Sequence, residues 1–178
     1  MRRGGPLKRS VGLKRTAMKR GTSQNNPEWV RVCGRQTVRD QIAAVRSGET
    51  SIVLAARAIG KPIGFVTGRA WRETKVQVKA RDGGCVRDGC TQNLDVHHRT
   101  PRGMGGTRNP LIYFGMTNLI TLCRSCHSEI ERNVNREEAF RDGYIVPRGT
   151  DPATMPVRVF GRGYVFLTAS GGYEEKVN

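Results

Sequence analysis

The stretch Cys85-Val-Arg-Asp-Gly-Cys90, then Asn93-Leu-Asp-Val-His97-His98-Arg99, closed by Asn118-Leu-Ile-Thr-Leu-Cys123-Arg-Ser-Cys126-His127, decides how this chain is read. It holds all three histidines and four of the five cysteines of a 178-residue chain. Residues scattered for packing alone would not cluster in this way. Each cysteine pair forms a short knuckle able to aim two sulfurs at one point, and four thiolates satisfy tetrahedral zinc. A closed site of that kind keeps no open coordination position. Cys85, Cys90, Cys123 and Cys126 are therefore expected to hold a structural zinc, with the chemistry lying elsewhere.

Between the knuckles, Leu94 and Val96 alternate with polar residues as a half-buried strand does, and His97 and His98 close that strand. Neighbouring side chains on extended backbone point apart, so the two imidazoles can hold separate roles. Leu119-Ile-Thr-Leu122 reads as the returning strand. His127-Ser-Glu-Ile-Glu-Arg reads as a short helix with His127 on its first turn. Strand, loop, strand and helix would bring His97 and His127 to one pole.

The order of cysteine knuckle, Val-His-His, Pro-Arg-Gly-Met-Gly-Gly and Asn-Leu-Ile-Thr-Leu-Cys-Arg-Ser-Cys-His resembles the HNH endonucleases, particularly those encoded by bacteriophages. The resemblance covers residues 81–146. It implies an α+β fold with a small ββα-metal core, and it places the three letters on His98, Asn118 and His127. By that resemblance His98 is the general base, Asn118 braces the loop that positions it, and His97 with His127 holds a divalent cation. Many phage members carry a further histidine one turn later, where this chain has Glu131, either a carboxylate ligand or a solvated helix residue. A cation held by imidazoles answers the negative charge that grows during phosphodiester cleavage, and such a site accepts Mn²⁺, Ni²⁺, Co²⁺ or Zn²⁺ as well as Mg²⁺.

Outward from this core the chain is strongly basic. Lys and Arg number 31 against 15 Asp and Glu, a net charge of +16, which points to a polyanionic partner. Residues 1–26 form an arm with eight basic residues and no acid, expected to be disordered alone and suited to phosphate contacts. Residues 27–80 read as helical: Val38, Ile42 and Val45 share a face, Ser47-Gly48 stops the pattern, and Thr50 or Ser51 caps a second helix. Ala56, Gly60 and Val66 sit at positions resembling a helix-turn-helix, although Gly64, Gly68 and Pro62 fit a plain helical hairpin equally. A third helix is expected from Trp71 to about Ala80, with Trp29 and Trp71 as core anchors. Arg69 and Arg72 on these helices, and Arg99 and Arg102 beside the histidines, are candidate phosphate contacts. The insert Leu111-Ile-Tyr-Phe114 packs on the core or flanks the nucleic acid. Residues 147–178 form a tail with a β-hairpin, and Cys33 is a free thiol.

Together these readings predict a cytoplasmic, metal-dependent endonuclease that nicks or cuts DNA. No membrane-spanning segment is expected. Phage packaging proteins are candidate further partners. A zinc-stabilised DNA-binding or packaging factor that does not cut is the rival from another class, and a ribonuclease or bacteriocin-like toxin is a third.

Overall fold

A computed structural model of the chain describes residues 35–103, 107 and 109–175. The basic arm, Trp29, Cys33 and Arg108 lie outside the described residues. What is described is a mixed α+β structure with two hydrophobic clusters joined by a small third one.

The first cluster is helical. Helix α1 (Arg35–Ser47) buries Ile42 and Val45, as the spacing predicted, and the chain turns at Gly48 with a positive φ. Helix α2 (Ile52–Ala58) is capped by Ser51, whose Oγ accepts from the Leu54 amide at 3.2 Å. After the turn at Gly60, helix α3 runs from Ile63 to Asp82 without a break. The expectation of a separate helix beginning at Trp71 is thus corrected. Val66, Ala70, Thr74 and Val78, four residues apart, form one buried stripe that carries the helix through Gly64 and Gly68. Ala56 and Val66 are buried on either side of the turn, which makes a helical hairpin. Gly83 ends α3 in the left-handed conformation, with its amide bonded to the Lys79 carbonyl.

The second cluster surrounds the cysteines. Strands β1 (Leu94–His98) and β2 (Leu119–Cys123) pair antiparallel, with Asp95 opposite Leu122 and His98 opposite Leu119. Between them the insert forms a short helix α4 (Pro110–Phe114), capped by the Asn109 side chain, and Phe114 is buried in the helical cluster. Helix α5 (Arg124–Glu131) follows β2 directly, and α6 (Arg136–Arg141) turns the chain back. A three-stranded antiparallel sheet follows, β3 (Val157–Val159), β4 (Gly163–Leu167) and β5 (Tyr173–Glu175), so the expected hairpin has one more strand. Its Val157, Val165 and Leu167 share a core with Ile120, Leu122, Ile130 and the cysteines. The segment after residue 147 is thus part of the same packed unit. Val78, Met116 and Leu119, with Trp71 and Val96 against them, join the two clusters.

Two buried charges sew these layers together. Asp82, at the end of α3, accepts hydrogen bonds from the Thr121 amide at 2.6 Å, the Tyr173 hydroxyl at 2.5 Å and Arg81 Nε at 2.6 Å. Asp142, at the end of α6, accepts from Tyr164 Oη and Arg141 Nε at 2.9 Å and from Arg158 at 3.4 Å. Burial alone would raise the Asp142 pKa, but the bonds from Arg141, Tyr164 and Arg158 outweigh it and hold the carboxyl below its ordinary range. An unfolded Asp titrates near 3.9, so this group's contribution is complete above about pH 4 and fades as the pH falls through the lower folded value. Asp142→Asn is expected to lower the melting temperature at pH 7 by the equivalent of about 1–3 kcal/mol. It should also flatten the loss of stability below about pH 4. Circular-dichroism melts at stepped pH check this, and parallel acid limbs for the two proteins would remove Asp142 from the account.

Candidate metal centre and histidine pole

Three thiols and one carboxylate converge at the junction of the residue 85–90 turn with the start of α5. The ligand atoms of Cys85, Asp88, Cys123 and Cys126 all lie within 4.8 Å of one another. Asp88 Oδ2 accepts from the thiols of Cys123 at 3.4 Å and Cys126 at 3.3 Å. Those separations are near the roughly 3.5–3.8 Å edges of a tetrahedron built on zinc bonds of about 2.0–2.3 Å. The group could hold a metal ion, and its donors suit a structural zinc. Burial, then the Asp88 bond, pushes the Cys85 thiol up, and the same two causes push Cys126 up strongly. Burial also works against charge on Asp88, but the hydrogen bonds from Cys85, the Cys90 amide, Cys126 and Cys123 pull it down to about 2.

The structure brings together three of the four expected cysteines and leaves Cys90 out. Its Sγ is directed at the Gln92 carbonyl, 3.6 Å away, and its amide is held by Asp88 Oδ1 at 3.0 Å. The cause is the tight turn: the Cys85 amide bonds to the Cys90 carbonyl and the Gly89 amide to the Cys85 carbonyl, both at 2.8 Å. That turn presents the carboxylate of Asp88, an exposed residue, to the thiols of Cys123 and Cys126. The signal was present in the sequence, since Cys85-x-x-Asp88 has the same spacing as Cys123-x-x-Cys126.

The histidines gather at the other end of the β1–β2 pair. His97 Nε2 lies 3.1 Å from the Tyr144 carbonyl and must donate to it, which leaves the lone pair on Nδ1. The ring of His127, on α5, meets that of His97 edge to face at 5.1 Å between centroids. Glu131 follows one turn on, with Oε1 3.4 Å from His127 Nε2, while Asp95 Oδ2 lies 3.8 Å from Nδ1. Among the described residues the cysteine–aspartate group alone closes to a ligand set of three or more within 4.8 Å.

His98 points away from His97, as alternation requires. Its imidazole stacks on Trp71 of α3, with centroids 5.2 Å apart and planes at 17°, and meets Tyr113 edge-on. His98 Nε2 donates to the Tyr113 carbonyl at 3.1 Å, so its Nδ1 carries the lone pair. Asn118 is fully buried and grips the same loop: Nδ2 donates to the Ile112 carbonyl at 2.8 Å, and Oδ1 accepts from the Thr100 amide at 2.7 Å. Burial, partly opposed by the Tyr113 bond, lowers the His98 pKa to about 4. Burial and then His127 lower that of His97 to about 3. Both rings are neutral at pH 7. Trp71 and Tyr113 were not legible as neighbours of His98, since each comes from a different element.

A cleft of ≈ 340 Å³ opens over His97, His98, His127 and Glu131, with Arg102 and Arg136 on its wall. A second, ≈ 320 Å³, lies across His127 and Glu131 and is walled by Trp71, Lys75, Asp95 and Arg124. Of the four arginines expected to meet phosphate, Arg99 and Arg102 line the first cleft and Arg69 and Arg72 line neither. The expectation for Arg99 is corrected. It is fully buried, and its guanidinium donates to the carbonyls of Gly143, Thr117, Pro152, Met155 and Pro156 at 2.6–3.1 Å. With every donor turned inward, Arg99 clamps residues 143–156 beneath the histidines. Arg69 is paired with Glu73 at 3.0 Å, and Arg72 is exposed on α3 away from both clefts.

No family model, curated protein or solved structure matches the chain. No helix among the described residues is long and apolar enough to cross a membrane.

Proposed function

We propose that this protein is a metal-dependent HNH-type endonuclease that hydrolyses DNA phosphodiester bonds. The observation that carries the reading is the way His98 is held. Its Nε2–H is committed to the Tyr113 carbonyl, Asn118 fixes the adjoining Ile112 carbonyl, and the neutral Nδ1 is left to accept a proton from an attacking water. His97 and His127 supply imidazole nitrogens and Glu131 a carboxylate beside that base, a donor set that suits a divalent transition ion. Bound there, the ion supplies charge stabilisation for the phosphate and the departing O3′. The chain's own steps are the proton transfer to His98 Nδ1 and the exclusion of competing conformers by Trp71 and Tyr113. The Cys85–Asp88–Cys123–Cys126 group is read as a structural zinc site, at the opposite end of β1 and β2 from the base.

A zinc-stabilised nucleic-acid-binding protein that does not cut is the second reading. What favours it is that the histidine pole does not itself close into a tight ligand set. One assay separates the two: supercoiled plasmid incubated with the protein and Mg²⁺, Mn²⁺, Ni²⁺, Co²⁺ or Zn²⁺. The nuclease reading expects nicked or linear product with at least one ion, abolished by chelation. Plasmid left intact under every ion overturns it.

A further inference from the structure

The two clefts meet at one ridge. Val96, His127 and Glu131 line both, so the cavity over His98 and the one under α3 are two halves of a groove crossing the histidine pole. Its flanking cations are held in a particular way. Lys75 Nζ lies over the Trp71 ring at 5.9 Å, Arg102 over Tyr113 at 5.0 Å, and Arg136 over Phe140 at 5.2 Å. None of these three has a carboxylate partner among the described residues. An aromatic face holds a cation in place without neutralising it, and so leaves the full charge for an incoming anion. The fourth cation, Arg124, is 79% exposed and pairs with Asp95 at 3.3 Å. The middle of the groove carries the opposite sign, with Asp95 and Glu131 either side of His127.

Alternation of positive, negative and positive along one groove fits a phosphodiester strand whose central phosphate arrives with a cation. An acidic protein segment would not need the carboxylates in the middle. We propose that this groove is the track for the strand that is cut: Lys75 and Arg124 hold phosphates on one side of the scissile bond, and Arg102 and Arg136 hold those on the other. The assignment rests on the nuclease reading for its centre. Its flanks are testable by binding alone.

The experiment compares Lys75→Glu/Arg124→Glu and Arg102→Glu/Arg136→Glu with Arg57→Glu/Lys61→Glu, which makes the same charge change at residues lining neither cleft. A fluorescein-labelled DNA duplex is titrated without added divalent ion over a salt series. Each track pair is expected to weaken binding about ten- to a hundredfold, and to reduce the slope of log affinity against log salt by about two, at roughly 0.9 per phosphate contact. The control pair should shift affinity less than threefold. Gln replacements at the same four positions serve where a Glu variant melts at lower temperature. Equal weakening by the control pair overturns the track, as does an unchanged salt slope or an effect confined to one cleft. In the plasmid assay the track variants should raise KM more than they lower kcat. A wild type that binds with this pattern yet leaves the plasmid intact under every ion would refute the nuclease reading and leave the flanks standing as a track for the DNA backbone. A wild type that cuts while the track pairs match the control would do the reverse.

Discussion

Cys126→Ser is expected to unfold the sheet-and-helix unit. Cys85, Cys123 and Cys126 are not appended to a finished core: all three are buried within the cluster that contains Ile120, Leu122, Ile130, Val157 and Leu167. Residues 83–93 contain no helix or strand; the 85–90 turn, the Arg87–Glu129 ion pair and the Val86 backbone bonds hold them, and a metal on the cysteine–aspartate group would add the direct link to the start of α5. Structural zinc sites bind with about 10–16 kcal/mol in small domains, which matches or exceeds the roughly 5–15 kcal/mol that holds an ordinary domain folded. Loss of one thiolate should therefore abolish stoichiometric zinc and the cooperative melt of this unit. Strong chelation of the wild type should give the same species. The same measurement decides the fourth ligand. Asp88→Asn should weaken zinc retention by at least about ten- to a hundredfold, the loss that follows even from removing an outer-shell partner of a metal site, while Cys90→Ala should retain zinc and melt as wild type. Zinc lost from Cys90→Ala and kept by Asp88→Asn would instead return Cys90 to the ligand set.

The cysteine and histidine spacing made the unit legible because ligand chemistry constrains sequence directly. Strand β1, strand β2 and the helix after Cys123 follow from alternation and from the knuckle itself. What stayed hidden depended on tertiary direction. Asp88 and Cys90 both suit a ligand position, and only the hydrogen bonds of the turn decide which side chain meets the other thiols. Arg99 sits beside two histidines in a basic chain and so resembled a phosphate contact, yet its five carbonyl partners come from residues 117–156, far along the sequence. Gly64 and Gly68 lower local helix propensity by about 1 kcal/mol each, and only the buried stripe from Val66 to Val78, a tertiary feature, carries helix α3 through them unbroken. The packing of Trp71 on His98 joins the helical layer to the candidate site, and no local pattern announces it.

His98→Ala is expected to lower kcat for plasmid cleavage about 10²–10⁴-fold, the usual contribution of a positioned general base. KM should stay within a few fold, because the imidazole is neutral at pH 7 and its Nε2 is turned to Tyr113. Zinc content should remain at the wild-type level, since His98 is at the opposite end of β1 from the cysteines. Truncation leaves a gap against Trp71 and Tyr113, so a modest fall in melting temperature accompanies it. His98→Gln fills that gap and keeps an amide donor for the Tyr113 carbonyl, but it supplies no basic nitrogen. It should melt close to wild type and cut as slowly as the alanine variant. Asn118→Ala acts on the same base from behind. It strips the Ile112 carbonyl and the Thr100 amide of their partners in a buried setting, so stability and kcat should fall together. The decisive comparison is the glutamine variant. If His98→Gln cuts within threefold of wild type, proton transfer does not run through this ring. A stable protein that has lost cleavage would tie the chemistry to Nδ1 of His98 and not to the fold that carries it.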